Sequence, residues 1–75
     1  MTKFIDGKIY VIIPDADITT EMINYCTSGS KNDMPSKDSG GVTYRIVETS
    51  EPAHTVFSTY QWYSVTEIND AWDSL

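Results

Sequence analysis

The run Ile9-Tyr10-Val11-Ile12-Ile13 is apolar at every position, and it constrains the fold more than any other segment. Successive side chains of a strand point to opposite faces, which puts Ile9, Val11 and Ile13 on one face and Tyr10 and Ile12 on the other. A strand apolar at both parities needs cover on both sides, so this one is expected at the centre of a sheet. The run is far shorter than the roughly 20 residues that span a bilayer, and the segment before it lacks a signal-peptide layout, so no membrane is expected. Seventy-five residues are read as one domain over 1–75, because compact domains need about 50 residues or more. At roughly 0.05–0.15 kcal/mol per residue, such a domain holds about 4–11 kcal/mol of stability.

Turn and cap signals place the other elements. Asp6-Gly7 lies between Thr2-Lys3-Phe4-Ile5 and the apolar run, which predicts a type I′ hairpin joining strands at about 2–5 and 8–13. Pro14 ends the second strand. Ile18, Met22, Tyr25 and Cys26 then recur at helical spacing, with Asp17 as N-cap, Glu21 in an early turn and Gly29 as the residue past the C-terminus. Residues 27–41, TSGSKNDMPSKDSGG, carry Met34 as their sole large apolar side chain and read as a long flexible loop, whose Ser-Lys and Gly-Gly elements keep it soluble and mobile.

Val42 to Thr49 alternates as a strand, and Thr55 to Tyr63, beyond the turn-rich Ser50-Glu51-Pro52-Ala53, is expected to pair with it as a hairpin. Ser64-Val65-Thr66-Glu67 is a capping box, with Tyr63 and Ile68 placed as a hydrophobic staple. Val65, Ile68, Ala71, Trp72 and Leu75 share one face of the helix that follows. The expected fold is therefore α+β: a small antiparallel sheet in the order ββαββα with two short helices packed on one face.

Several chemistries lack their residues. A calcium loop starting at Asp15 would have Thr20 where Gly is needed and Cys26 where a bidentate Glu is needed. One Cys and one His cannot supply a zinc tetrahedron. Cys26 lies on the apolar side of its helix and His54 at a strand start, with no spacing that pairs them for nucleophilic catalysis. Gly29-Ser30-Lys31-Asn32 lacks the Gly before Lys that a phosphate loop requires and follows a helix instead of a strand. No enzyme activity, cofactor or metal is expected. The single cysteine excludes an internal disulfide and suits a cytoplasmic protein.

Charge is the informative pattern. Eleven acidic side chains face five cationic ones, for a net charge of −6. All five cations lie in residues 1–45, whereas residues 46–75 carry only Glu48, Glu51, Glu67, Asp70 and Asp73. Glu67, Asp70 and Asp73 form a stripe at i, i+3 and i+6. Asp70 and Asp73 crowd the negative end of the helix dipole with no cation nearby in sequence, at a cost of a few tenths of a kcal/mol each. Carboxylates a few ångströms apart on a rigid helix imitate nucleic-acid phosphates. Alternation over Thr55–Tyr63 would also leave an aromatic pair exposed, Tyr60 with Trp62 or Phe57 with Tyr63, suited to a binding hot spot beside carboxylates.

The expected function is that of a small acidic, non-enzymatic protein-binding module. It would modulate or inhibit a basic cytoplasmic partner protein, a nucleic-acid-binding protein or an enzyme being two cases, through Glu48, Glu51, Tyr60, Trp62, Glu67, Asp70 and Asp73. Size and charge give it an analogy with phage-type effectors and DNA-mimic inhibitors. The alternative is an assembly subunit that buries its aromatic strand face in a homodimer or other small homo-oligomer. Direct nucleic-acid binding is not expected, because Lys31, Lys37 and Arg45 could form only a small patch against the net field.

Overall fold

A computed structural model describes residues 4–75. Four strands, β1 (Ile9–Pro14), β2 (Ser36–Ser39), β3 (Val42–Thr49) and β4 (Trp62–Tyr63), form one antiparallel sheet in the order β2-β3-β1-β4. Two helices accompany it, α1 (Thr20–Ile23) and α2 (Val65–Asp73). The fold is thus a small α+β domain, and the chain order is βαβββα.

β1 is the central strand its composition demands. Val11 and Ile13 are fully buried on one face and Tyr10 on the other. Pairing carries the division into β3, where Val47 lies opposite Val11 and Ile46 opposite Ile12. Two clusters result. On one side Val11, Ile13, Ile18, Met22, Met34, Val47 and Phe57 pack together; on the other Tyr10, Ile46 and Ile68 do, with Phe4, Ile12, Tyr63, Val65 and Trp72 around them. The helices consequently lie on opposite faces, α1 through Met22 and α2 through Ile68, and not on one face as expected. Covering only one face would have left half of β1 in water.

The expected hairpins change for a related reason. Both edges of β1 are taken, by β3 along its length and by β4 at Tyr10 and Val11, so Phe4 and Ile5 do not form a strand. The turn before β1 is closed by the Lys8 N–H on the Ile5 carbonyl at 3.3 Å. Gly7 has φ +86° and no non-glycine residue among the described ones has positive φ, so the two positive φ angles of type I′ are not both present. The first half of the expected strand, residues 2–3, lies outside the described residues.

Residues 27–41 are not one flexible loop. They contain a 3₁₀ turn at Lys31–Asp33 and all of β2, and Met34 is buried. Gly40 and Gly41, at φ +59° and +83°, form the two-residue turn that joins β2 to β3, a conformation their lack of Cβ permits. Because β2 occupies the outer edge of β3, the segment 55–63 cannot pair there. It forms a 3₁₀ turn at Thr55–Phe57 and reaches the sheet only as β4, against β1.

α1 is also shorter than its periodicity suggests. Asp17 closes a 3₁₀ turn at Asp15–Asp17, and Thr19 caps α1 by accepting the Met22 N–H at 3.2 Å. Cys26 leaves the helical path to bridge Thr49, and the Thr27 N–H donates to the Glu48 carbonyl at 2.8 Å. Gly29 is not in the positive-φ conformation of a C-terminal cap.

Candidate partner-binding surface

α2 is specified locally. Ser64 and Glu67 form the capping box, in which the Ser64 N–H donates to Glu67 Oε1 at 3.1 Å. That bond holds the Glu67 carboxyl below its ordinary pKa. Tyr63 and Ile68 meet in the same cluster, as a hydrophobic staple would. With Ile68 fully buried and Val65, Ala71, Trp72 and Leu75 partly so, the opposite face displays Glu67, Asp70 and Asp73, all exposed.

The C-terminal end of α2 does have a cation. Lys37 on β2 donates from Nζ to the Trp72 carbonyl at 2.7 Å and lies 6.0 Å from the centre of the Trp72 ring. It offsets the crowding of Asp70 and Asp73 at the negative end of the dipole. Lys37 is 35 residues from Trp72 in sequence, so no local spacing reveals the pairing.

The other expected contact residues do not gather on this face. Trp62 is 44% exposed and its indole N–H donates to the Phe57 carbonyl at 3.2 Å. Its register with Val11 directs it to the side of the sheet opposite α2. Tyr60 is half-buried against the Val11 cluster, Tyr63 against the Tyr10 cluster, and Phe57 is wholly buried. The expected pair of exposed aromatics does not form, because residues 55–57 form a turn and the strand is limited to Trp62 and Tyr63, which point to opposite faces. Glu48, on the α2 side of the sheet, accepts the Tyr10 hydroxyl at 3.0 Å. Glu51 follows β3 and lines an open groove of about 380 Å³ with Lys8, Tyr25 and Cys26.

Every cation among the described residues has a partner within the chain. Arg45 Nε donates to Asp15 Oδ1 at 2.6 Å, and its Nη1 donates to the Lys31 and Met34 carbonyls at 3.0 Å each. Lys31 Nζ is 3.6 Å from Asp15 Oδ2, and Lys8 Nζ donates to Ser50 Oγ at 2.6 Å. The Arg45 hydrogen bond, with Lys31 adding to it, depresses the Asp15 pKa. Of the expected patch, Lys31 and Arg45 do meet, but around Asp15, whereas Lys37 is tied to the end of α2. Among the described residues, Asp15 is the sole carboxylate in an ion pair.

Cys26 and His54 do not act on one another. The Cys26 thiol donates to the Met22 carbonyl at 2.8 Å, and burial pushes its pKa up to about 11, which leaves little thiolate. His54 stacks on Tyr25 at a centroid distance of 3.8 Å and caps the following turn, its Nδ1 accepting the Val56 N–H. Among the described residues, no three His, Cys, Asp or Glu side chains converge as metal ligands, and no helix is long and apolar enough to cross a membrane.

Comparison with protein families, curated proteins and solved structures finds no match.

Proposed function

We propose that the protein is a small non-enzymatic binding module that docks on the basic surface of a cytoplasmic, nucleic-acid-handling protein through α2 and inhibits or modulates it. The observation that carries this reading is the one-sided use of charge. The described cations are engaged inside the molecule, while Glu67, Asp70 and Asp73 stand exposed on one capped, anchored helix. Three residues of helix advance about 4.5 Å, close to the roughly 3.4 Å axial spacing of phosphates along one DNA strand. Assembly through an aromatic sheet face has less support, because Trp62 alone of the four aromatic candidates is strongly exposed.

The test begins with the tagged protein as bait in a lysate washed at low and at high salt, followed by association kinetics with the captured partner. The Glu67→Gln/Asp70→Asn/Asp73→Asn variant is compared with wild type; Gln serves at the third position of a capping box, so the helix stays capped. Association should slow about tenfold at low ionic strength, and the difference should shrink as salt screens it. An unchanged association rate overturns the proposal.

A further inference from the structure

A hollow of about 190 Å³ opens beside the N-terminal end of β1, between the sheet and the connection that follows α1. Phe4 and Pro35 form its accessible apolar walls over the buried Tyr10 and Ile46, and Asp33 and Glu48 are also among the residues that line it. The Phe4 and Tyr10 rings meet edge to face at 4.9 Å. The Tyr10 hydroxyl accepts the Ile5 N–H at 2.7 Å and donates to Glu48 Oε2 at 3.0 Å, which fixes one oxygen of that carboxylate. Asp33 Oδ2 accepts from Ser30 Oγ at 3.3 Å. Both carboxylates are thus held by neutral hydroxyls, and neither has a cation among the described residues.

The other two hollows differ on this point. The groove beside Cys26 contains Lys8, and the hollow between Pro14 and Thr43 has Asp15 already paired with Arg45 and Lys31. Of these three, the hollow at Phe4 alone joins an aromatic wall to carboxylates that lack a counter-charge among the described residues. That combination suits a flat, weakly hydrated cation, which can stack on a ring and take a carboxylate side-on.

We infer that the hollow lined by Phe4, Tyr10, Asp33 and Glu48 is an anchor site for an arginine side chain of the partner protein. The inference rests on the reading that the partner is basic, and it adds a second contact on the α2 side of the sheet. One such anchor supports a dissociation constant on the order of 1 mM for a single arginine.

The test is a titration of the full chain carrying Lys3→Gln, so that the cation adjacent to Phe4 in sequence cannot compete, with a capped Gly-Arg-Gly peptide followed by amide chemical shifts. Saturable shifts at Tyr10, Ile46 and Glu48 are expected. Binding should weaken at least tenfold with the neutral citrulline peptide. It should weaken as much in Asp33→Asn/Glu48→Gln, where the introduced carboxamide oxygen can still accept from Tyr10 and amide dispersion reports an intact fold. Equal binding of the citrulline peptide, or no saturable shift up to roughly 10 mM, overturns the site. Shifts confined to Asp70 and Asp73 overturn it too, while leaving the α2 docking face standing. Saturation at the hollow together with an unchanged association rate for the α2 variant would retain the anchor and remove the helix.

Discussion

The two layers that close the sheet are built in opposite ways. On the Tyr10 side a single nine-residue helix, α2, does the covering with one fully buried anchor, Ile68, and its own capping box. The Val11 side is covered by a 3₁₀ turn, a four-residue helix, Met34 from a long connection, and the turn that buries Phe57. A regular helix satisfies most of its own backbone groups, whereas an irregular layer leaves carbonyls and N–H groups that only tertiary partners can satisfy. Those partners are specific polar side chains. Thr49, fully buried, donates to the Tyr25 carbonyl at 2.6 Å and accepts the Glu51 N–H at 3.0 Å, while Arg45 ties two carbonyls of the 31–34 segment. The irregular layer depends on chemistry at single residues; the helical layer depends on pattern.

The largest effects should come from removing each layer's anchor. Phe57→Ala opens a cavity in the larger cluster and should cost about 3–5 kcal/mol, a large fraction of the stability of a domain this small. Ile68→Ala, in a cluster of three buried residues, should cost about 2–4 kcal/mol. Urea midpoints measure both. A larger loss at Ile68 would mean that α2, and not the irregular layer, carries most of the packing energy.

Polar residues give the sharper contrast. Thr49→Val keeps the shape and takes the side-chain partner from the Tyr25 carbonyl and the Glu51 N–H, both part-buried bonds, for an expected loss of about 1–2 kcal/mol. Ser64→Ala removes a helix cap whose neighbours remain in contact with water, and about 1 kcal/mol is expected. If the cap cost more than the threonine, the distinction between self-satisfied and tied layers would not hold.

The same distinction explains how much of the molecule was legible in the sequence. The 64–67 cap, the Ile68 face of α2, β3 and the two-faced character of β1 follow from periodicity and short-range chemistry, and each stands in the structure. The stripe of Glu67, Asp70 and Asp73 was legible for that reason, since helical spacing is a local property. The irregular layer was not. Met34 is the lone large apolar residue in fifteen, too little for a periodic signal, although its burial sets the path of the whole connection. The strand expected over 55–63 rested on alternation of aromatic with polar residues on both faces, a pattern that turn residues satisfy equally well; whether a strand forms depended on β2 having claimed the edge of β3. Placing Tyr60 and Trp62 together on an exposed face depended on that strand, so it failed with it. The link from Lys37 to α2 and the triad of Asp15, Lys31 and Arg45 join residues far apart in the chain, beyond the reach of spacing arguments.

The smallest effect separates the layers by acid and salt. Asp15 serves the irregular layer and Glu67 the helical one, and both have depressed pKa values, Asp15 chiefly through its hydrogen bond from Arg45 and Glu67 through the Ser64 N–H. A carboxyl depressed in the folded state binds protons more readily when unfolded. Its stabilisation is therefore present above the ordinary values of 3.8 and 4.5 and is lost as pH falls through the depressed ones. Asp15→Asn and Glu67→Gln should each make the loss of stability between neutral and strongly acidic pH shallower than in wild type. Comparing each variant with wild type at every pH cancels most of the opposing gain as the net charge of −6 is neutralised. Salt then tells them apart. Asp15 faces two cations, at 2.6 and 3.6 Å, and its contribution should fall by 1 M salt, where the screening length is about 3 Å; Glu67 faces a backbone N–H, and its contribution should change less. Thermal midpoints over pH at low and high salt measure this. Equal salt sensitivity would show that the two layers do not differ in how their carboxylates are held, however differently their backbones are built.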